Sequence, residues 1–322
     1  MCLNHDNLRS MVIGLLLTGS ITSCNSIQAQ ETGPPAARLP SSDGSGGLLY
    51  QGRLQTYYLH TPKSYRLDRP MPLVLVFHGS RSSCRAIANV TRFNELADQK
   101  RFIVVYPDGI DGRWNQVKHY SSSQVDRNNA SFIVALIEHL QQIRNVDRQR
   151  IYATGFSSGA ILTQTLACNL SDRIAAFASV AGTLPVNVAA SCKPQTSVSL
   201  LMINGKGDES VPYPGGKVDD VREVLSVSKT AEIWRQHNGC ALNAKKVEPL
   251  ANTVSNRSTK VEISRYSGCH GGSEVMLISV EGIGHLWPGG ASENAKQAQS
   301  NVGSGINASQ TIWNFFQRHA LP

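Results

Sequence analysis

Gly155-Phe156-Ser157-Ser158-Gly159 sets a serine between glycines two positions before it and two after. A turn tight enough to need small residues at both places pushes the serine hydroxyl outward, the geometry of an exposed nucleophile between a strand and a helix. The flanking segments suit it, since Ile151 to Thr154 reads as a short apolar strand and Ala160 to Ala167 is compatible with a helix. A serine hydroxyl is a weak nucleophile near neutral pH. It needs a base to take its proton and a carboxylate to orient that base. In a strand-turn-helix setting the acid and then the base follow the serine along the chain, each on a loop after a strand.

Four histidines follow Ser157: His237, His270, His285 and His319. His285 stands in Glu281-Gly282-Ile283-Gly284-His285-Leu286-Trp287-Pro288-Gly289-Gly290, directly after an apolar run, in a loop whose glycines let the backbone bend freely. It is the expected base. His270 competes from another glycine loop, but it adjoins a cysteine expected in a disulfide. His237 and His319 lie near helix ends, where surface histidines are ordinary. The acid should follow the strand at Val198 to Ile203, and Asp208 stands there in Asn204-Gly205-Lys206-Gly207-Asp208-Glu209-Ser210-Val211-Pro212. Glu209 is its competitor, and Lys206 either screens the carboxylate or is simply solvated. Acyl transfer also needs donors aimed at the developing oxyanion. The backbone N–H of Ser158 is one. The N–H of Ser80, in His78-Gly79-Ser80 after the buried strand Leu73 to Phe77, is the other, unless that segment is a plain strand-end turn.

These residues need a scaffold that brings distant loops to one edge. Leu73 to Phe77 and Phe102 to Tyr106 are continuous apolar runs of the kind that lie buried in a sheet, and Tyr57-Tyr58-Leu59 reads as a further strand. Between Ala130 and Arg144, residues Phe132, Ile133, Leu136, Ile137, Leu140 and Ile143 recur at helical spacing. Strands at Val261 to Tyr266 and Val275 to Val280, with helices at Lys229 to Gln236 and through Ile312 to Phe316, continue the pattern. Strands alternating with helices predict an α/β fold, a mainly parallel sheet with helices on both faces.

The 322 residues are 41% hydrophobic, enough for a sizeable core, which excludes disorder of the whole chain. Lys and Arg outnumber Asp and Glu by 31 to 23, a net charge of +8, yet no run of five basic residues occurs. A mildly basic, solvated surface is expected and no nucleic-acid partner. Met11 to Leu17 is a short apolar run after Arg9, of a size for a secretory signal, so residues 1–23 read as a signal peptide. Ile21-Thr22-Ser23-Cys24 has the form of a bacterial lipobox, which makes Cys24 the expected lipidation site and membrane anchor; ordinary cleavage near Ala29 would discard it. Residues 24–47, rich in Pro, Gly and Ser from Glu31 onward, read as a flexible tether, and 48–322 as one domain. Apart from Cys2 and Cys24 five cysteines remain, so at most two disulfides form. Their context pairs Cys168 with Cys192 and Cys240 with Cys269, leaving Cys84 free. No C-x-x-C spacing points to a zinc site.

In these segments the chain resembles the polyhydroxybutyrate depolymerase-like esterases, α/β-hydrolases grouped with feruloyl and acetyl xylan esterases of the first carbohydrate esterase family. The likeness runs from about Leu48 to the C-terminus. It rests on Val76-Phe77-His78-Gly79, Val105-Tyr106-Pro107-Asp108-Gly109, Asp147 to Gly159, Asp208 to Pro212 with Gly215-Gly216, Asn238-Gly239-Cys240, and Gly284-His285 with Trp287-Pro288-Gly289. The resemblance implies a triad of Ser157, Asp208 and His285, similar disulfides, and substrate contacts at His78 and Trp287. Departures occur. Ala160 stands where the family often has a second glycine, Ser80 where it often has cysteine, and Asn204-Gly205-Lys206 where it usually has histidine-glycine-threonine. The first two keep side chains small, and the third alters the surroundings of the acid. What the resemblance implies is an exported, monomeric serine carboxylesterase working without metal or organic cofactor on feruloyl or acetyl esters of plant polysaccharide. A hydroxyalkanoate polyester is the alternative substrate, and a surface-anchored binding protein that has lost catalysis is the competing class.

Overall fold

The computed structural model describes residues 43–114, 122–218, 222–241, 245–249, 260–291 and 305–322. The signal peptide expected at 1–23, the lipidation site expected at Cys24 and the tether as far as residue 42 lie outside the described residues.

Strands β1 (Gly44–Tyr50) and β2 (Arg53–His60) form a hairpin, and β3 (Met71–Phe77) precedes helices α1 (Cys84–Thr91) and α2 (Phe93–Lys100). Next, β4 (Ile103–Pro107) leads to α3 (Ser122–Ile143), β5 (Val146–Phe156) to α4 (Ser158–Asn169), and β6 (Ala176–Val180) to the short α5 (Val186–Ala189). From β7 (Leu200–Gly205) the chain runs through a small ribbon, β8 (Gly216–Lys217) with β9 (Glu223–Val224), into α6 (Val227–His237). Strands β10 (Lys245–Pro249), β11 (Val261–Tyr266) and β12 (Val275–Val280) follow, and α7 (Ala308–Phe316) comes last. The main sheet has the order β1-β2-β4-β3-β5-β6-β7-β12-β11-β10. From β4 to β12 neighbouring strands are parallel, and antiparallel pairs close both edges. This is the mainly parallel α/β sheet that the sequence pattern predicts, in the α/β-hydrolase arrangement that the resemblance implies.

Side-chain alternation explains why helices cover both faces. Along β3, Leu73, Leu75 and Phe77 point into a core shared with Ile133, Leu136 and Leu140 of α3, Leu162 and Leu166 of α4, and Trp234 of α6. The intervening Val74 and Val76 face the opposite core, with Ile87 of α1, Phe93 of α2 and Trp313 and Phe316 of α7. A strand buried on both faces needs apolar residues at every position, which is why β3 reads as an unbroken run.

The domain boundary at residue 48 needs correcting, because β1 begins at Gly44, inside the segment expected to be tether. Glycine serves close packing here. A Cβ on Gly46 would lie 2.4 Å from the ring of buried Tyr57, so the strand can cross that ring only without a side chain. Asp43 adds a polar clamp, accepting from the Tyr58 hydroxyl at 2.7 Å and lying 2.5 Å from His60 Nδ1.

Both expected disulfides are present, Cys168–Cys192 and Cys240–Cys269, and Cys84 is free and buried. Burial first, and then the neighbouring Asp108 carboxylate, push the Cys84 thiol up to about 11, so it stays protonated. The Cys168–Cys192 bridge fastens the last turn of α4 across a separation of 24 residues. Closing a loop of that length in the unfolded chain is worth about 3 kcal/mol. Replacing both cysteines by alanine should lower the melting temperature by roughly 5–10 °C, and an unchanged melt would show that the bridge does not stabilise the fold.

Candidate active site

Ser157 sits between β5 and α4 with φ 57° and ψ −120°, a conformation that side-chain-bearing residues rarely adopt. Its N–H donates to Val180 O at 3.0 Å and its carbonyl accepts from Ile161 at 3.0 Å, so the turn is bonded on both sides. The flanking glycines are required by contact. A Cβ on Gly155 would lie 2.3 Å from the carbonyl oxygen of Gly159, and one on Gly159 would lie 2.3 Å from Phe77 O and 2.6 Å from His78 O. Ala160 is accommodated because Gly182 faces it, where an added Cβ would come within 2.5 Å of the alanine methyl.

The acid and base arrive on two loops packed against each other after the neighbouring strands β7 and β12. The Gly207 N–H donates to Ile283 O at 3.1 Å, and a Cβ on Gly205 would strike the same oxygen at 2.5 Å. Asp208 Oδ1 accepts from the N–H groups of Ser210 and Val211 at 2.9 and 2.8 Å. Its Oδ2 lies 2.8 Å from His285 Nδ1, and His285 Nε2 lies 2.9 Å from Ser157 Oγ. An ionised carboxylate only accepts, so the proton of the neutral imidazole stands on Nδ1 and Nε2 is left to accept from the serine. The Asp208 side chain is 1% exposed and that of His285 21%, which gives a buried orienting charge and a base that reaches the surface. Phe156 packs on the imidazole at 4.9 Å between ring centres.

The competing candidates take other places. Lys206 bonds Glu281 at 2.9 Å and Glu262 at 3.1 Å and does not bond Asp208; those bonds hold its ammonium above the usual range. Glu209 lines the cleft beside the triad. The His270 ring lies over Gly239, and His237 closes α6. His319 is not a surface histidine: its side chain is 9% exposed, with Nδ1 at 3.1 Å from Ser199 Oγ and Nε2 at 3.6 Å from Glu274.

Ser157, Ser158, Ser80 and His285 line one open cleft of ≈ 780 Å³. Ser158 is the first residue of α4, so its N–H has no helical acceptor, and Ser80 follows Gly79 on the loop after β3. A Cβ on Gly79 would lie 3.4 Å from Ser157 Cβ, so this loop passes close to the serine.

His78 and Trp287 are not placed to touch substrate. Both are buried, and neither lines the cleft. His78 Nε2 accepts from the Gly109 N–H at 2.9 Å, so its proton is on Nδ1, which donates to Gly79 O at 2.7 Å. Burial lowers its pKa, against the opposing pull of the Gly79 carbonyl and Asp108. A neutral His78 therefore braces the Ser80 loop from beneath, aided by Trp114, whose indole donates to His78 O at 2.7 Å. Trp287 donates to Ser309 Oγ at 3.0 Å and backs Phe156 at 6.4 Å, supporting the imidazole through that ring. Sequence reasoning assigned no role to Trp114, Gly109 or Asp108. The Val105 to Gly109 block was the available signal, and Asp108 anchors it by accepting from Cys84 N–H at 2.7 Å and Thr56 Oγ at 2.8 Å.

The arrangement can move a proton from Ser157 to His285 while Asp208 holds the imidazolium, which is the chemistry of acyl transfer. Among the described residues no group of three His, Cys, Asp or Glu side chains comes together to hold a metal ion. For His78 as a positioning residue, His78→Phe should lower kcat on an activated ester by about 10- to 100-fold with a smaller change in KM. His78→Gln, which can still accept from Gly109, should recover part of the loss. Equal kinetics for all three proteins would remove His78 from the loop's support.

The chain is similar to known proteins over most of its length. It is 28% identical over 278 residues to NocK of Nocardia uniformis subsp. tsuyamanensis, an esterase by assignment, covering 81% of this chain and 80% of that one. It is 28% identical over 230 residues to feruloyl esterase B of Piromyces equi, covering 70% of this chain but only 41% of that relative's length. Among solved structures, a ferulic acid esterase from Anaeromyces mucronatus superposes with a TM-score of 0.50 at 15% identity, over 86% of this chain and 90% of the other, a likeness of fold. The family profile described as Esterase PHB depolymerase matches residues 55–224, a span that holds the nucleophile turn, the Ser80 loop and Asp208. With more than half of its residues matched by that profile, the chain belongs to the Esterase PHB depolymerase family.

Proposed function

We propose that the protein is a serine carboxylesterase acting through an acyl-enzyme. The observation that carries this reading is the unbroken relay from Asp208 through His285 to Ser157, at 2.8 and 2.9 Å, opening on one cleft. Ser157 Oγ attacks the ester carbonyl as His285 Nε2 takes its proton. The amides of Ser80 and Ser158 hold the oxyanion, and His285 returns the proton to the departing alcohol. Water then resolves the acyl-enzyme by the same path in reverse. An intact relay in this order also favours catalysis over a binding protein that has merely kept the fold.

The substrate class proposed first is a feruloyl or acetyl ester of plant polysaccharide, supported by the names of the feruloyl esterase relatives. A hydroxyalkanoate polyester is the second, supported by the family description. Export is supported by two disulfides, which form and persist in oxidising compartments. We carry forward the signal peptide, the lipid on Cys24 and a monomeric state as parts of this proposal.

Hydrolysis of p-nitrophenyl acetate should fall about 10⁴-fold or more in Ser157→Ala, and equal rates for the two proteins would end the catalytic reading. A panel of methyl ferulate, acetylated xylan and hydroxybutyrate oligomers should show highest kcat/KM on one of the first two. A preference for the oligomers would favour the polyester. Mass spectrometry of the mature N-terminus should find a lipid-bearing Cys24, whereas a start at Ala29 or Gln30 would remove the anchor.

A further inference from the structure

Among the described residues the charged ones lining the cleft are Arg81, Arg113, Lys217 and Arg222, with Glu209 as the one carboxylate. Arg113 and Arg222 are engaged by other groups. Arg81 and Lys217 differ: among the described residues no carboxylate pairs with either. Cations elsewhere on the surface do find partners, as Arg92 does in Glu95, Arg150 in Asp147, Lys206 in Glu281 and Lys229 in Glu232. Among the described residues, two cations without a carboxylate partner thus line the cleft that holds Ser157 and His285.

They come from separate elements. Arg81 directly follows Ser80 on the oxyanion loop, where its N–H donates to Gly112 O at 2.7 Å. Its φ of 57° lies in the region that favours glycine, yet an arginine stands there. Lys217 belongs to β8, in the segment between Asp208 and α6. A neutral ester offers neither group a counter-charge. An anion held in a cleft whose lining carries an excess of positive charge is both attracted to it and bound there.

Resting on the esterase reading, we propose that the natural ester carries an ionised carboxylate close to its scissile bond, and that Arg81 and Lys217 select it. The carboxylate belongs either to the acyl side, as in a dicarboxylic half-ester or the acid end of a hydroxyacid oligomer, or to the alcohol side, as in a uronic acid.

Matched ester pairs test this. p-Nitrophenyl hemisuccinate against p-nitrophenyl butyrate places the charge on the acyl side, and para-acetoxybenzoate against its methyl ester places it on the alcohol side. Each is assayed with the unaltered chain, Arg81→Gln and Lys217→Gln, so that intrinsic reactivity cancels between proteins. The anionic-to-neutral ratio of kcat/KM should fall by about tenfold in at least one variant, chiefly through KM, and the pair affected names the side. With the unaltered chain, raising NaCl from about 0.02 to 0.5 M should depress kcat/KM for the anionic ester and spare the neutral one, a readout that needs no variant to fold. Unchanged ratios and matching salt responses, with the esters still hydrolysed, would overturn the proposal and leave the esterase reading standing. No hydrolysis of any of the four would sink both.

Discussion

The left-handed turn at Ser157 is the constraint around which the molecule is organised. A residue with a side chain held there costs on the order of 1–3 kcal/mol, so the surroundings must over-determine it. Three features do so. The turn is bonded to Val180 and Ile161; Gly155 and Gly159 let β5, α4 and the Phe77–His78 backbone approach without side chains between them; and α4 is buried from Ser158 to Cys168. A helix sequestered all round cannot tilt to relax the turn at its start. The Cys168–Cys192 bridge fastens its other end.

Once Ser157 is fixed, the parallel sheet brings His285 and Asp208 to it. Strands β3, β5, β7 and β12 run in one direction, so the loops that follow them emerge at the same edge. Residues 77 and 128 positions apart in sequence thereby come within 2.8 and 2.9 Å of each other. Ligand sites of open α/β sheets lie at this carboxyl edge for the same reason. The packing of the Gly205–Gly207 segment on Ile283 then sets Asp208 against His285 without help from substrate.

Much of this was legible in the sequence. The loops that bring Ser157, Asp208 and His285 together and both disulfide pairs were readable, because tight turns, buried strands and cysteine contexts leave local signatures. Strand β12 lies where its apolar run predicts, and β11 where Val261 and Ile263 alternate with polar residues. Other features depend on contacts that no local pattern reports. The glycines of β1 resemble a linker until the Tyr57 ring beneath Gly46 is known. Helices α1 and α2 are eight residues each, too short for their periodicity to stand out. Strand β6, Ala-Phe-Ala-Ser-Val, is too small and mixed to announce burial. His78 and Trp287 illustrate the limit most clearly: their motifs locate them at the site, but only burial tells a brace from a contact.

The same loops define what the cleft presents to a ligand: a half-buried serine at the centre, a braced amide loop on one side, and a mainly cationic lining beyond it. All of it has meaning only if Ser157 is the activated nucleophile. Labelling with a fluorophosphonate followed by peptide mass mapping tests that claim most directly. The account predicts one phosphonate per chain, on Ser157, with labelling slowed strongly in His285→Ala. A label on another residue, or labelling of Ser157 at the same rate without His285, would contradict it.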